Sequence, residues 1–146
     1  EGPYKDYLVK RAAELGVSNS ISFIGRIQYS ELPRYICAGD IFAMPSRSRL
    51  AGLEVEGLGI VYLEASACGL AVIGGKSGGA PDAVIEGETG FAVDGTSSHD
   101  VARAAIELLE NPELAARMGA RGRQWIIDEW SWEQWATRFA SLLTQP

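Results

Sequence analysis

Two cysteines and one histidine are the only thiol and imidazole groups in the chain, and neither cysteine stands in a Cys-x-x-Cys pair or beside the histidine. No segment has the ligand spacing of a zinc or iron centre, so no metal is expected. Cys37 and Cys68 stand alone, which fits reduced thiols in a cytosolic compartment better than a disulfide. His99, in "SSHDVARAAIELL", falls at an expected helix start and reads as a surface residue. Long apolar runs are missing as well, because glycine interrupts each one before it could cross a bilayer. The opening residues lack a basic stretch followed by an apolar one, so no secretory signal is expected. Basic charge is scarce: the net charge of −6 argues against a nucleic-acid surface.

What is present is ordinary globular material. The 146 residues are 47% hydrophobic and 22% charged, enough for one domain with a core. "YKDYLVKRAAELGV" reads as a helix with Tyr4, Leu8, Ala12 and Leu15 on one face, closed by Gly16. "SISFIG" (20–25) is β-branched and aromatic with a glycine stop, which predicts a short strand. Ser30 is a candidate N-cap for a short helix carrying Leu32, Tyr35 and Ile36. "IFAMPS" (41–46) and "LAVIGG" (70–75) read as doubly buried parallel strands, and "GFAV" (90–93) as a third short one. Between 47 and 58 lies a glycine-rich loop, followed by a helix to Cys68; a brief helical turn is expected near 82–85. Val101, Ala105, Leu108 and Leu109 mark a later helix, and Asn111 with Pro112 begins the next as N-cap and first residue. "SWEQ" (131–134) has capping-box spacing ahead of a stripe of Trp135, Phe139, Leu142 and Leu143. Strands alternating with amphipathic helices predict a parallel α/β fold, with its ligand site at the carboxyl ends of the strands.

"EVEGLGIVYLEASACG" (54–69) is the stretch that suggests chemistry. Gly57 and Gly59 remove side chains just before a helix begins at about Ile60. The free amides and the dipole of such a first turn attract an anion, and glycine lets phosphate oxygens approach closely. Glu64, one turn further on, suits vicinal hydroxyls, because a carboxylate can accept from two at once. Glu56 lies before the helix, on the other side of the anion pocket. Acid, diphosphate site and acid follow the order of ribose, diphosphate and sugar in a sugar nucleotide. A Glu-x7-Glu spacing by itself is also what chance supplies in a glutamate-rich chain; the strand–glycine loop–helix context gives it meaning.

The run "SISFIGRI…SELPRYICAGDIFAMPSR…EVEGLGIVYLEASACGLAVIGGKSGGAPDAVIEGETGFAV" resembles the C-terminal, nucleotide-sugar-binding half of retaining GT-B glycosyltransferases of family GT4. The similarity extends from residue 1 to about 140, including "EWSWEQWATRF". Within that family the wording around 52–69 is similar to actinobacterial mannosyltransferases acting on phosphatidylinositol mannosides. The resemblance implies a Rossmann-like, doubly wound parallel sheet. It makes 1–146 a single partial nucleotide-sugar-binding domain, with 131–146 as its C-terminal helix. It also implies transfer of a sugar, mannose from GDP-mannose in the favoured form, from a GDP- or UDP-sugar to a lipid or glycan acceptor. Glu56 would face the donor sugar near the reaction centre, with Leu58 and Gly59 offering backbone contacts to it. Ile60 and Val61 would present N–H groups to the diphosphate, and Glu64 would hold the ribose hydroxyls. Arg26 and Ile27 would border the base, and Gly78 and Gly79 the sugar pocket, although a surface arginine and a plain turn are ordinary readings of these pairs. Asp82 stands where the family commonly has Glu.

Retention through an oxocarbenium-like transition state, with no cofactor and no metal, is the implied mechanism. The implied location is cytoplasmic, at the inner face of the membrane. "EGP" looks like the tail of the family's Gly-x-Gly-Pro turn. The family's first strand–helix–strand, its Arg and Lys on the diphosphate, and its acceptor-binding N-terminal half are therefore expected to come from elsewhere, as a separate chain or a removed part. Strands 20–25 and 41–46 would then not be neighbours, and unpaired edges are expected. Two alternatives share the scaffold: a non-catalytic nucleotide-binding or interaction module, and a sugar-nucleotide epimerase.

Overall fold

Ile41–Met44 (β1), Ala71–Gly75 (β2) and Gly90–Val93 (β3) form a parallel sheet in the order β1-β2-β3. Ile41 lies opposite Ala71, and Val72 opposite Gly90. The computed structural model describes residues 2–144, which divide into two compact units, Glu1–Leu32 and Pro33–Pro146. Glu1 of the "EGP" turn and the last two residues of the expected 131–146 helix lie outside the described residues.

The first unit holds helix α1 (Lys5–Glu14), a 3-10 turn at Ser18–Ser20, and an irregular run from 21 to 28. Gly16, at φ +70°, ends α1 as expected: its N–H reaches Ala13 O, and the Val17 N–H reaches Ala12 O. The expected strand at 20–25 is corrected. Ile21 has strand-like dihedrals (φ −124°, ψ 126°), but a strand is defined by its ladder, and no ladder forms along this run among the described residues. Phe23 and Ile24 are exposed.

The second unit contains the sheet. β2 is buried along its whole length, as an all-apolar central strand should be. β1 is not doubly buried as expected. It is one of the two edge strands of this sheet, and Ala43 is exposed. Ser30 caps nothing, because a 3-10 turn (Tyr29–Glu31) leads into the short helix α2 (Leu32–Ile36). The expected turn near 82–85 lies slightly earlier, at Ala80–Ala83.

Side chains alternate across β2 and so serve two layers. Ala71 and Ile73 join Val93, Ala104, Leu108, Ala115 and Met118 in the main core, built with α4 (Ser98–Glu110) and α5 (Pro112–Glu129). Leu109, expected on this face, is exposed; Ala104 takes its place one turn before Leu108. Gly74 faces Val84 and the ring of Tyr62, on helix α3 (Ile60–Ala67). The helix boundaries follow the expected caps. Asn111 accepts from the Leu114 N–H at 3.1 Å, and Ser131 from the Gln134 N–H at 3.3 Å. The last helix, α6 (Trp132–Leu143), carries its expected stripe, but Phe139, Leu142 and Leu143 are exposed rather than packed.

Ser66 is fully buried between α3 and α5, where Gly122 makes room for it, and its hydroxyl has no partner among the described residues. A buried hydroxyl without a partner costs stability, and alanine is the better helix former. Ser66→Ala is therefore expected to raise stability by about 1 kcal/mol in urea unfolding. A fall in the unfolding midpoint would contradict the packing described.

Candidate functional site

The site begins at the amino end of α3. Gly59 is its N-cap, at φ +76° and ψ 60°, and no side chain among the described residues caps the first turn. The Tyr62 N–H turns back to Gly59 O at 2.9 Å, which leaves the Ile60 and Val61 amides at the tip of the helix. Left-handed backbone favours glycine, and a second constraint applies here. A Cβ on Gly59 would fall inside the ring of Tyr62.

Tyr62 is completely buried, and its hydroxyl ties the helix to the end of β1. It donates to Met44 O at 2.7 Å and shares a hydrogen bond of 2.9 Å with Ser46 Oγ. Phe42 of β1 meets the ring edge-on, with centroids 6.3 Å apart. The first turn of α3 is thus held at the carboxyl edge of the sheet, where parallel α/β folds place their ligands.

Two loops complete this edge. Residues 46–58 leave β1 and include a bridge between Arg49 and Glu54, whose side chains pair at 3.5 Å. Residues 76–79 leave β2. They meet at Glu56: its N–H donates to Ser77 Oγ at 3.2 Å, and its carbonyl accepts from the Gly79 N–H at 3.0 Å. Gly78, at φ +53°, and Gly79 allow this approach, since a Cβ on either would strike the carbonyl of Glu56 or Gly57. Lys76 stands beside the turn after β3, where hydrogen bonds from Thr96 hold the Asp94 carboxyl below its usual range, with a smaller contribution from Lys76.

The expected site residues divide cleanly. Glu56, Leu58, Gly59, Ile60, Val61, Glu64, Gly78 and Gly79 all belong to the second unit, on α3 and on the two loops. Glu56, Leu58, Val61 and Glu64 are half-buried, and Ile60 is exposed. Arg26 and Ile27 belong to the first unit; Arg26 is exposed and Ile27 half-buried. Three residues that shape the site had no place in the sequence reading: Tyr62, Ser46 and Ser77. Tyr62 was a visible signal, a polar-tipped aromatic three residues after a glycine cap.

At the far end of α3, Cys68 is the C-cap. Its thiol contacts Pro33 O at 3.8 Å, and burial together with the neighbouring Cys37 thiol pushes its pKa up to about 11. At neutral pH it is a protonated packing group, not a nucleophile. Among the described residues, no cluster of three or more His, Cys, Asp or Glu side chains is placed to hold a metal ion, and no helix is long and apolar enough to cross a membrane.

The fold is a parallel α/β sheet of the Rossmann-like class, with the open tip of α3 at its carboxyl edge, where such folds place their ligands. The family described as glycosyl transferases group 1 matches residues 1–125, and the chain belongs to it. It is 50% identical, over 98% of its length, to the GDP-mannose-dependent alpha-(1-6)-phosphatidylinositol monomannoside mannosyltransferase of Mycolicibacterium smegmatis, and spans 37% of that relative. Among solved structures it is similar to a sucrose-phosphate synthase from Thermosynechococcus elongatus (28% identity, TM-score 0.85, covering 97% of this chain and 34% of that one). It is also similar to the C-terminal domain of a group 1 glycosyl transferase from Francisella tularensis (28% identity, TM-score 0.77, covering 88% and 63%).

Gly59→Ala isolates the Tyr62 constraint, because Gly16 has a comparable φ of +70° with nothing within 4 Å of a Cβ. Gly16→Ala is expected to cost about 1 kcal/mol in urea unfolding, for the left-handed backbone alone. Gly59→Ala is expected to cost about 1 kcal/mol or more beyond that, for the collision. Equal costs would show that the Tyr62 ring does not limit this position.

Proposed function

We propose that this chain forms the donor-binding part of a retaining mannosyltransferase that uses GDP-mannose and acts on a phosphatidylinositol-mannoside-like acceptor. The observation that carries the reading is the uncapped first turn of α3, with Glu56 on one side and Glu64 one turn further along. The name of the mycolicibacterial relative, at 50% identity, supports the choice of base and sugar. The rest of the enzyme, including its acceptor-binding half, is a separate chain or a segment preceding this one, and it places the reaction at the cytoplasmic face of the membrane.

The pyrophosphate of the donor docks on the Ile60 and Val61 amides, and Glu64 accepts hydrogen bonds from both ribose hydroxyls. As the bond from the sugar's anomeric carbon to the diphosphate oxygen breaks, its electron pair passes to that oxygen; the acceptor hydroxyl bonds to the same carbon from the same face, and its proton passes to the departing diphosphate. The growing negative charge lies on amides already oriented toward it and on basic residues from the rest of the enzyme, in place of a metal or other cofactor. Glu56 accepts from a hydroxyl of the transferred sugar and is not assigned as a nucleophile. Leu58 and Gly59 contact the sugar through their backbone, with Gly78 and Gly79 behind them.

Calorimetry of the full-length enzyme against GDP, UDP and their sugars tests the reading; absence of nucleotide binding would end it. Glu64→Ala is expected to weaken GDP binding by about 1–3 kcal/mol, the cost of lost hydroxyl contacts. Glu56→Ala is expected to leave GDP affinity unchanged and to lower turnover about ten- to hundredfold, in line with a hydrogen bond to a charged group. Equal loss of affinity in both variants would contradict the division of labour.

A further inference from the structure

Glu56 is held by its backbone more firmly than a loop residue needs to be. Its N–H goes to Ser77 Oγ at 3.2 Å, and its carbonyl takes the Gly79 N–H at 3.0 Å. Ser77 is itself almost fully buried, 1% exposed, and its hydroxyl shares a hydrogen bond of 3.1 Å with Ser48 Oγ. The Ser77 N–H is tied to Gly75 O at 3.0 Å, at the end of the central strand. The peptide of Glu56 is therefore referenced to β2, the most buried element of the sheet, through one side chain. Gly78 and Gly79 give the loop the closeness this requires, because any Cβ there would push the Glu56 or Gly57 carbonyl away.

We infer that Ser77 is a positioning residue: its hydroxyl fixes the Glu56 backbone, and so sets where the Glu56 carboxylate meets the donor sugar. The inference rests on the transferase reading and deepens it. Buried beneath the loop, Ser77 acts through Glu56. It confines the acid's motion to its own side-chain torsions, and a hydrogen bond that must be made in the transition state benefits from such preorganisation. The Ile60 and Val61 amides are held by a different group, Tyr62, so donor affinity and sugar-side geometry depend on separate anchors.

The test uses Ser77→Ala in the full-length enzyme. Turnover is expected to fall about tenfold, with the GDP dissociation constant within about twofold of wild type, because a lost positioning contact affects kcat rather than binding. In a Glu56→Ala background the same substitution is expected to lower turnover no further, since the group it positions has gone. Hydrogen exchange at the Glu56 amide is expected to speed up in Ser77→Ala. Ser77→Cys keeps the shape but offers only a weak acceptor, so it is expected to reproduce the turnover loss if the alanine variant is unstable. Unchanged turnover, a full additional loss on top of Glu56→Ala, or a parallel loss of GDP affinity would overturn the inference. If the wild-type enzyme transfers no sugar while the Glu56 amide still loses protection in Ser77→Ala, the transferase reading fails and the clamp stands.

Discussion

The hydroxyl of Tyr62 is the point on which the site depends. A phenol buried in an apolar layer must find partners, and this one finds Met44 O and Ser46 Oγ at the end of β1. That pair of hydrogen bonds sets where α3 starts relative to the sheet, and the ring fills the space in which residue 59 would carry a Cβ. Glycine at the cap follows, and with it a first turn that no side chain closes. An anion site needs donors that are both unsatisfied and immobile; the tyrosine supplies the immobility and the glycine leaves the donors open.

A second anchor works beside the first. The loop after β2 grips the peptide of Glu56, so the acid proposed for the sugar side is positioned from the central strand, while the amides proposed for the diphosphate are positioned from β1, at one edge. A transferase needs both. Binding the diphosphate alone lowers the energy of bound donor and transition state alike, whereas contacts that tighten as the sugar gains positive charge lower the barrier.

Much of this was legible in the sequence, for reasons that can be named. Local signals read correctly: Asn111–Pro112 and Ser131 as helix starts, Gly16 as a stop, and the glycine-to-helix transition at Ile60. The β2 and β3 runs also read correctly, because a short apolar run bounded by glycine, ended by Gly74 in one and opened by Gly90 in the other, leaves few alternatives. The misreadings concern partners distant in the chain. "SISFIG" has strand composition, but a ladder needs a neighbour, and composition does not supply one. β1 was expected to be doubly buried from its apolar content, yet burial depends on what covers it. The stripe on α6 was correct as a pattern and silent about what it faces. Ser46 and Ser77 act through contacts that join distant segments, which a single sequence does not display; for Tyr62 the spacing from Gly59 is visible there, but its partners at the end of β1 are not.

The most direct measurement is nuclear magnetic resonance of the full-length enzyme, with the Ile60 and Val61 amides assigned and GDP titrated in. Docking of the pyrophosphate on the helix tip predicts that these two amides show large, saturable shifts, retained in Glu64→Ala at higher GDP concentration. Saturable GDP binding that leaves both resonances unmoved would contradict the account, because the diphosphate would then be held somewhere else.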